Sequence, residues 1–169
     1  MISEVRREIY QSMEDYRDFI QPDNKGWEIL EIGIDGDEKP SGNFKYFGEG
    51  NKWKTMDNFA KVEPDILADI TGNDLKSEQW DLIICSQVLE HLWDFKKAIE
   101  EIYRLLKFGG FAIIDNPWMW PYHGLEAYDD YWRFSERALK KLLADAGFTI
   151  VKSKPYNYLV SCLVMKQYE

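Results

Sequence analysis

The sequence predicts an α/β fold: one open, doubly wound, mostly parallel sheet with helices on its faces and an antiparallel hairpin at its end. Two stretches carry this expectation. The first is QWDLIICSQVLEHLWDFKKAIEEIYRLLKFGGFAIIDNP. Its DLIIC is a continuous apolar run, which suits a strand buried on both faces. Leu92, Phe95, Ile99, Ile102, Leu105 and Leu106 then recur at helical spacing. KFGG is expected to cap that helix, and FAIID to form the next strand. A strand-helix-strand unit of this kind implies parallel strands joined by a right-handed crossover. The second stretch is the chain's end, where TIVKSKPY and LVSCLVMKQY are separated by a few residues around Asn157. Two strands so close in sequence pair antiparallel.

The remaining elements follow in order. Val5, Ile9, Met13, Tyr16 and Ile20 fall on one face of a helix spanning residues 1–20. WEILEIGI reads as a strand and DGDEKPSGN as the loop after it. KWKTMD and PDILADI are expected as the second and third strands. Little chain lies between LEIGI and KWKTMD, so the loop is short and the first covering helix reduced. In SERALKKLLADAGF, Ser135 is a natural N-cap, Leu139, Leu142 and Leu143 form the buried face, and Gly147 stops the helix. No repeat or linker divides the chain. One domain over 1–169 is expected, with a helix over 1–20 and the sheet with its covering helices over 27–169.

Composition narrows the function. With 21 basic and 30 acidic side chains the formal charge is -9, which disfavours nucleic acid and anionic membrane as partners. No apolar run could span a bilayer, and the charged N-terminus does not read as a signal peptide. Cys85 and Cys162 sit in apolar segments and are expected as buried free thiols of a reducing compartment, the cytoplasm. His91 is expected to pack or cap at a strand-to-helix junction. The two histidines and the carboxylates show no metal-ligand spacing, so no metal site is expected.

DNPWMWPYHGLEAYDDYWRF, residues 115–134, is dense in Trp, Tyr and Phe. Its two prolines and its glycine exclude one continuous helix or strand. It follows the FAIID strand, on the side where ligands of parallel sheets bind. Its rings could line a substrate site, stacking on a sugar face or surrounding an ammonium group, or could form a contact between copies in a homo-oligomer.

From Trp27 onward the chain resembles class I S-adenosylmethionine-dependent methyltransferases, especially the compact type-11-like domains. The resemblance rests on WDLIICSQVLEH, EIYRLLKFGG, NPWMWPYH and DDYWRF occurring in that order. It implies a Rossmann-like methyltransferase fold and S-adenosylmethionine as cofactor. It also implies site residues. Glu31 and Gly33 match the acidic residue and first glycine of the cofactor loop. Asp57 matches the ribose ligand, and Asp69 with Ile70 the adenine end. Cys85 and Gln87, with Ser86 between them, match the cofactor wall after the fourth strand. The family's usual E-x-G-x-G-x-G differs here, where EIGIDGDEKPSGN has Asp35 at the second glycine position and Gly36 one residue late.

The reaction so implied is methyl transfer to an oxygen or nitrogen of a small molecule, sugar-like or amine. His123 is the first candidate for general base, since its ordinary pKa is near neutrality. Asp129 and Asp130 follow, and Arg133 could hold an acidic group of the substrate. Trp118, Trp120, Tyr122 and Tyr131 are the candidate acceptor wall. The alternative is a non-catalytic binding or regulatory protein on the same fold, with a degenerate cofactor loop. A nicotinamide enzyme is disfavoured because no G-x-G-x-x-G follows the first strand.

Overall fold

The computed structural model describes residues 3–20, 26–34, 41–125 and 128–168. Helix α1 (Glu4–Ile20) precedes strand β1 (Glu28–Ile32), helix α2 (Phe44–Phe47), strand β2 (Lys52–Asp57) and strand β3 (Ile66–Leu67). Strand β4 (Trp80–Ser86), helix α3 (Phe95–Leu105) and strand β5 (Leu106–Pro117) form the central unit. Helix α4 (Glu136–Asp145) and strands β6 (Thr149–Pro155) and β7 (Leu159–Met165) complete the chain. The sheet order is β3-β2-β1-β4-β5-β7-β6. All pairs are parallel up to β5, and β7 is antiparallel to both β5 and β6. This is the doubly wound sheet with a terminal hairpin that the sequence predicts.

Alternation along the strands explains the apolar runs. On one face Leu30, Ile83, Cys85, Ala112, Ile114 and Cys162 pack with Ile99, Ile102 and Leu105 of α3 and Leu139 and Leu143 of α4. On the other, Ile29, Leu82, Ile84, Ile113 and Leu163 meet Met13, Tyr16 and Ile20 of α1. A strand covered on both sides cannot alternate apolar with polar, which is why DLIIC is continuous. Helix α2 is only 4 residues long. Helix α1 therefore supplies most of the cover on its face of the sheet.

KFGG does not cap α3, contrary to its sequence expectation. The helix ends at Leu105, and these residues already belong to β5, whose register against β4 shifts between Trp80 and Leu82. Gly109 takes a positive φ of 77°. A side chain on Gly110 would press on the carbonyls of Lys107 and Asp81. The glycines therefore serve a bulged strand start rather than a helix stop. Ser135 caps α4 as expected, accepting from the Ala138 N–H, and Gly147 leaves that helix at φ 102°. Among the described residues no helix is long and apolar enough to cross a membrane.

Ile84 is fully buried between the sheet and α1. Ile84→Ala should lower the unfolding free energy by about 2–5 kcal/mol. Urea denaturation should show this as a lower midpoint with an unchanged slope.

Candidate active site

The order of strands reverses between β1 and β4, and their carboxyl ends diverge there to open a crevice. A cleft of about 830 Å³ lies at this point. Its floor is made by Gly33, Asp57, Asp69, Ile70 and Gln87, all anticipated from sequence, together with Ser86 and Val88.

The floor is built from short backbone clasps. Gly33 has φ 78°, and a Cβ there would collide with the Val88 side chain. Only glycine allows the loop after β1 to lie so close to the loop after β4. The Gly33 N–H donates to the Met56 carbonyl (3.0 Å) and the Ile34 N–H to Asp57 Oδ2 (3.0 Å). Asp57 Oδ1 also accepts from the Phe59 N–H at 2.8 Å. Each carboxylate oxygen has a second lone pair, so Asp57 can still accept from a ligand hydroxyl. Asp69 accepts from the N–H and hydroxyl of Thr71, both at 2.8 Å and both on Oδ1.

Glu31 lies beneath the loop, 3% exposed. Its Oε1 accepts from the Ser41 hydroxyl (2.6 Å) and the Asn43 amide (2.9 Å), while Oε2 is buried without a hydrogen bond. Burial raises its pKa. Gln87 adopts a left-handed φ of 56° and is held there by Asp115. Its N–H donates to the Asp115 carbonyl, and its side-chain amide to Asp115 Oδ1 at 2.7 Å. Ser86 adds a third bond, from its hydroxyl to the same oxygen at 2.9 Å. Asp115 is fully buried, and that burial pushes its pKa up to about 7. The Cys85 side chain is buried in the core, its thiol raised well above the usual range by burial, and it does not line the cleft. Asp35 and Gly36 lie outside the described residues.

The facing wall comes from the aromatic segment. Trp120, His123, Leu125, Tyr128, Asp129 and Tyr131 line the cleft. Trp118 and Tyr122 do not: they are 40% and 69% exposed, and the Trp118 N–H is tied to the Tyr158 carbonyl. Asp130 and Arg133 stand behind the wall. Arg133 makes a bidentate pair with Asp130 and donates to the carbonyls of Trp120, Pro121 and Trp132. These bonds use all five of its N–H groups. Asp130 also receives the His123 N–H at 2.8 Å and faces His123 Nδ1 at 3.1 Å. The arginine beside it pulls the Asp130 pKa down to about 2.

Residues 5–153 match the family described as Methyltransferase domain. The chain belongs to that family. The comparison with curated proteins gives no match. Several solved structures share the fold. One is a SAM-dependent methyltransferase from Aquifex aeolicus, 17% identical, with TM-score 0.69 over 91% of this chain and 89% of that one. Another is the 1,6-didemethyltoxoflavin-N1-methyltransferase of Burkholderia thailandensis with its substrate and S-adenosylhomocysteine, 18% identical, TM-score 0.68, covering 97% and 88%. A third is phosphoethanolamine N-methyltransferase 2 of Haemonchus contortus with S-adenosyl-L-methionine, 12% identical, TM-score 0.72, covering 94% of this chain and 53% of that one. At these identities the likeness is one of fold.

In this methyltransferase, sequence reasoning passed over Ser41, Asn43 and Glu90, and it gave His91 only a packing or capping role. Ser41 and Asn43 line the cleft and bond Glu31. Their only signal was small polar residues closing the loop after β1. His91 also lines the cleft, its Nδ1 2.6 Å from the Asp129 carbonyl. Glu90 is fully buried, and its Oε2 accepts from the Asn116 amide at 2.9 Å. Glu90 raises the His123 pKa, with a further contribution from Asp130.

Asp115 gives the methyltransferase a pH signature. Its folded pKa, pushed up to about 7 by burial, lies well above the ordinary carboxylate range. The native state therefore holds a proton that the unfolded state releases. The stability this contributes is full below the unfolded pKa and is lost as pH rises through about 7. Urea midpoints should fall across that window, and Asp115→Asn should flatten the fall.

Proposed function

We propose that this methyltransferase uses S-adenosylmethionine to methylate an oxygen or nitrogen of a small molecule, sugar-like or amine. One observation supports this most: a single cleft has Gly33, Asp57, Asp69 and Gln87 on one side and His123, Tyr128 and Tyr131 on the other. The residues present suit the cofactor. Gly33, where any side chain would strike Val88, lets the backbone of the loop after β1 run close along the cleft, and Glu31 Oε2 is a buried acceptor without a donor. Glu31, Gly33, Asp57, Asp69, Ile70 and Gln87 would hold the group. The bound cofactor supplies an electrophilic methyl, whose bond to sulfur breaks as the bond to the acceptor forms, the electron pair staying on sulfur.

The chain's own contribution is placement and proton handling. Trp120, Tyr128 and Tyr131 offer flat apolar faces for the acceptor. His123 Nε2 takes the acceptor's proton, and Asp130 at Nδ1 steadies the resulting imidazolium. Arg133, its donors all engaged, acts as a positioning residue rather than a substrate clamp.

The short α2 favours the rival reading, a binding module that has lost catalysis. Calorimetry with S-adenosylhomocysteine, followed by transfer of labelled methyl into a metabolite extract, separates the two. Binding with transfer is the expected outcome. Binding without transfer from any extract would leave the module, and no binding would sink the cofactor assignment. Asp69→Ala should weaken S-adenosylhomocysteine binding by about 1–3 kcal/mol. His123→Ala should leave that binding unchanged and slow methyl transfer by roughly 10²–10⁴-fold.

A further inference from the structure

We infer that Glu90, His91 and His123 form a binding site for a divalent transition-metal cation on the acceptor side of the cleft. The proposal goes beyond the methyl-transfer reading and rests on it only for what the cation would do there. The sequence shows no ligand spacing, because His123 lies far along the chain from Glu90 and His91. The fold closes that gap through the 120–133 segment.

Three independent features converge. One ligand atom from each residue lies within 4.8 Å of the other two. Glu90 Oε1 is 3.6 Å from His91 Nε2 and 3.8 Å from His123 Nε2. Metal–nitrogen and metal–oxygen bonds of about 2.0–2.2 Å set tetrahedral edges of about 3.4 Å, so a small contraction suffices. These separations are too long for hydrogen bonds among the three groups.

The second feature is the orientation of both rings. His91 Nδ1 meets the Asp129 carbonyl at 2.6 Å, and His123 Nδ1 meets the Asp130 carboxylate at 3.1 Å. A carbonyl or carboxylate at one ring nitrogen leaves the other free to ligate, and this is the usual outer support of a metal-bound histidine. The ring centroids are 5.0 Å apart and nearly perpendicular, at 80°.

The third feature is Glu90 itself. It is 0% exposed, and Oε1 has no hydrogen bond, while Asn116 fixes the orientation of the carboxylate through Oε2. A buried carboxylate oxygen with no donor is costly unless a positive charge meets it. Two imidazoles and one carboxylate make a donor set for zinc, cobalt, manganese or iron(II) rather than for magnesium or calcium. Both histidines line the cleft, so the remaining coordination positions open toward the acceptor. A cation there would hold an acceptor hydroxyl or amine and make it more acidic. Its proton would then leave to solvent, and the base role of His123 would apply only to the metal-free protein, since a cation on Nε2 occupies the lone pair that takes the proton.

The test uses Co²⁺ added to protein stripped with chelator, read by visible d–d absorption, with Zn²⁺ competition. The expected result is a saturable spectrum at one Co²⁺ per chain, abolished by Zn²⁺ and lost in Glu90→Gln, His91→Ala and His123→Ala. Asp130→Asn should weaken binding by about 10–100-fold through the loss of ring support. Circular dichroism of each variant establishes that it is folded, and S-adenosylhomocysteine titration reports the cofactor side separately. The two cleft-lining histidine variants keep the test valid if Glu90→Gln does not fold. No saturable spectrum in the parent protein, or a spectrum that persists in folded His91→Ala and His123→Ala, overturns the site. Failure to bind S-adenosylhomocysteine would instead count against the proposed function and leave the metal result readable.

Discussion

The aromatic wall of the cleft depends on the pairing of Arg133 with Asp130. Among the described residues of 118–134 there is no helix or strand, only the isolated bridge between Leu125 and Tyr128, so no extended ladder holds them in place. Arg133 supplies the missing backbone bonds by donating to the carbonyls of Trp120, Pro121 and Trp132. Asp130 in turn accepts from the His123 N–H. One ion pair thus closes a loop of irregular chain and brings His123 to face Glu90. The bidentate geometry matters more than the charge: a lysine could neutralise Asp130 but could not reach three carbonyls as well.

A second tie anchors this wall to the turn after β4 and to α3. The Tyr131 N–H donates to the Glu90 carbonyl, and the Trp132 indole donates to the Leu92 carbonyl at 3.0 Å. Phe134 and Trp132 then pack edge-on against Phe95 of α3. The rings at the end of the segment are therefore core, those in its middle line the cleft, and Trp118 and Tyr122 remain outside. Aromatic density marked the segment as important, but composition alone could not sort the rings. That sorting depends on which backbone groups find partners, a matter of tertiary contacts.

The sheet was legible because burial on two faces leaves a strong trace. DLIIC, FAIID and LVSCLV are continuous apolar runs, and each is a central strand. KFGG was misleading because glycine after a helix serves either a cap or a bulge, and only pairing with β4 decides between them. On the cleft floor, Gly33, Asp57, Asp69 and Gln87 could be located because they follow strand ends, where the topology of a parallel sheet places ligands. Cys85 shows the limit of that rule. One residue before Ser86, its side chain still points into the core, since alternate positions on a strand face opposite ways. Glu90 and His91 were obscured for a different reason. Their partner is distant in sequence, and a histidine at a strand-to-helix junction looks the same whether it packs or ligates.

Among the described residues, three buried carboxylates with unmet oxygens surround this cleft. Glu31 Oε2 lies under the loop after β1, Asp115 Oδ2 behind Ser86 and Gln87, and Glu90 Oε1 beneath the two histidines. Each residue is buried, at 3%, 0% and 0% exposure. Scattered through a core, such groups would simply destabilise the fold. Gathered around one cleft, they offer oxygens that a positive charge on a ligand would draw into the ionised form, in surroundings that water screens poorly. A neutral or anionic ligand gains little from that arrangement. A sulfonium, an ammonium or a metal cation relieves the strain that burial has stored there. The electrostatics therefore favour the same class of ligand on both walls, and the preference comes from the placement of three side chains rather than from the chain's overall charge.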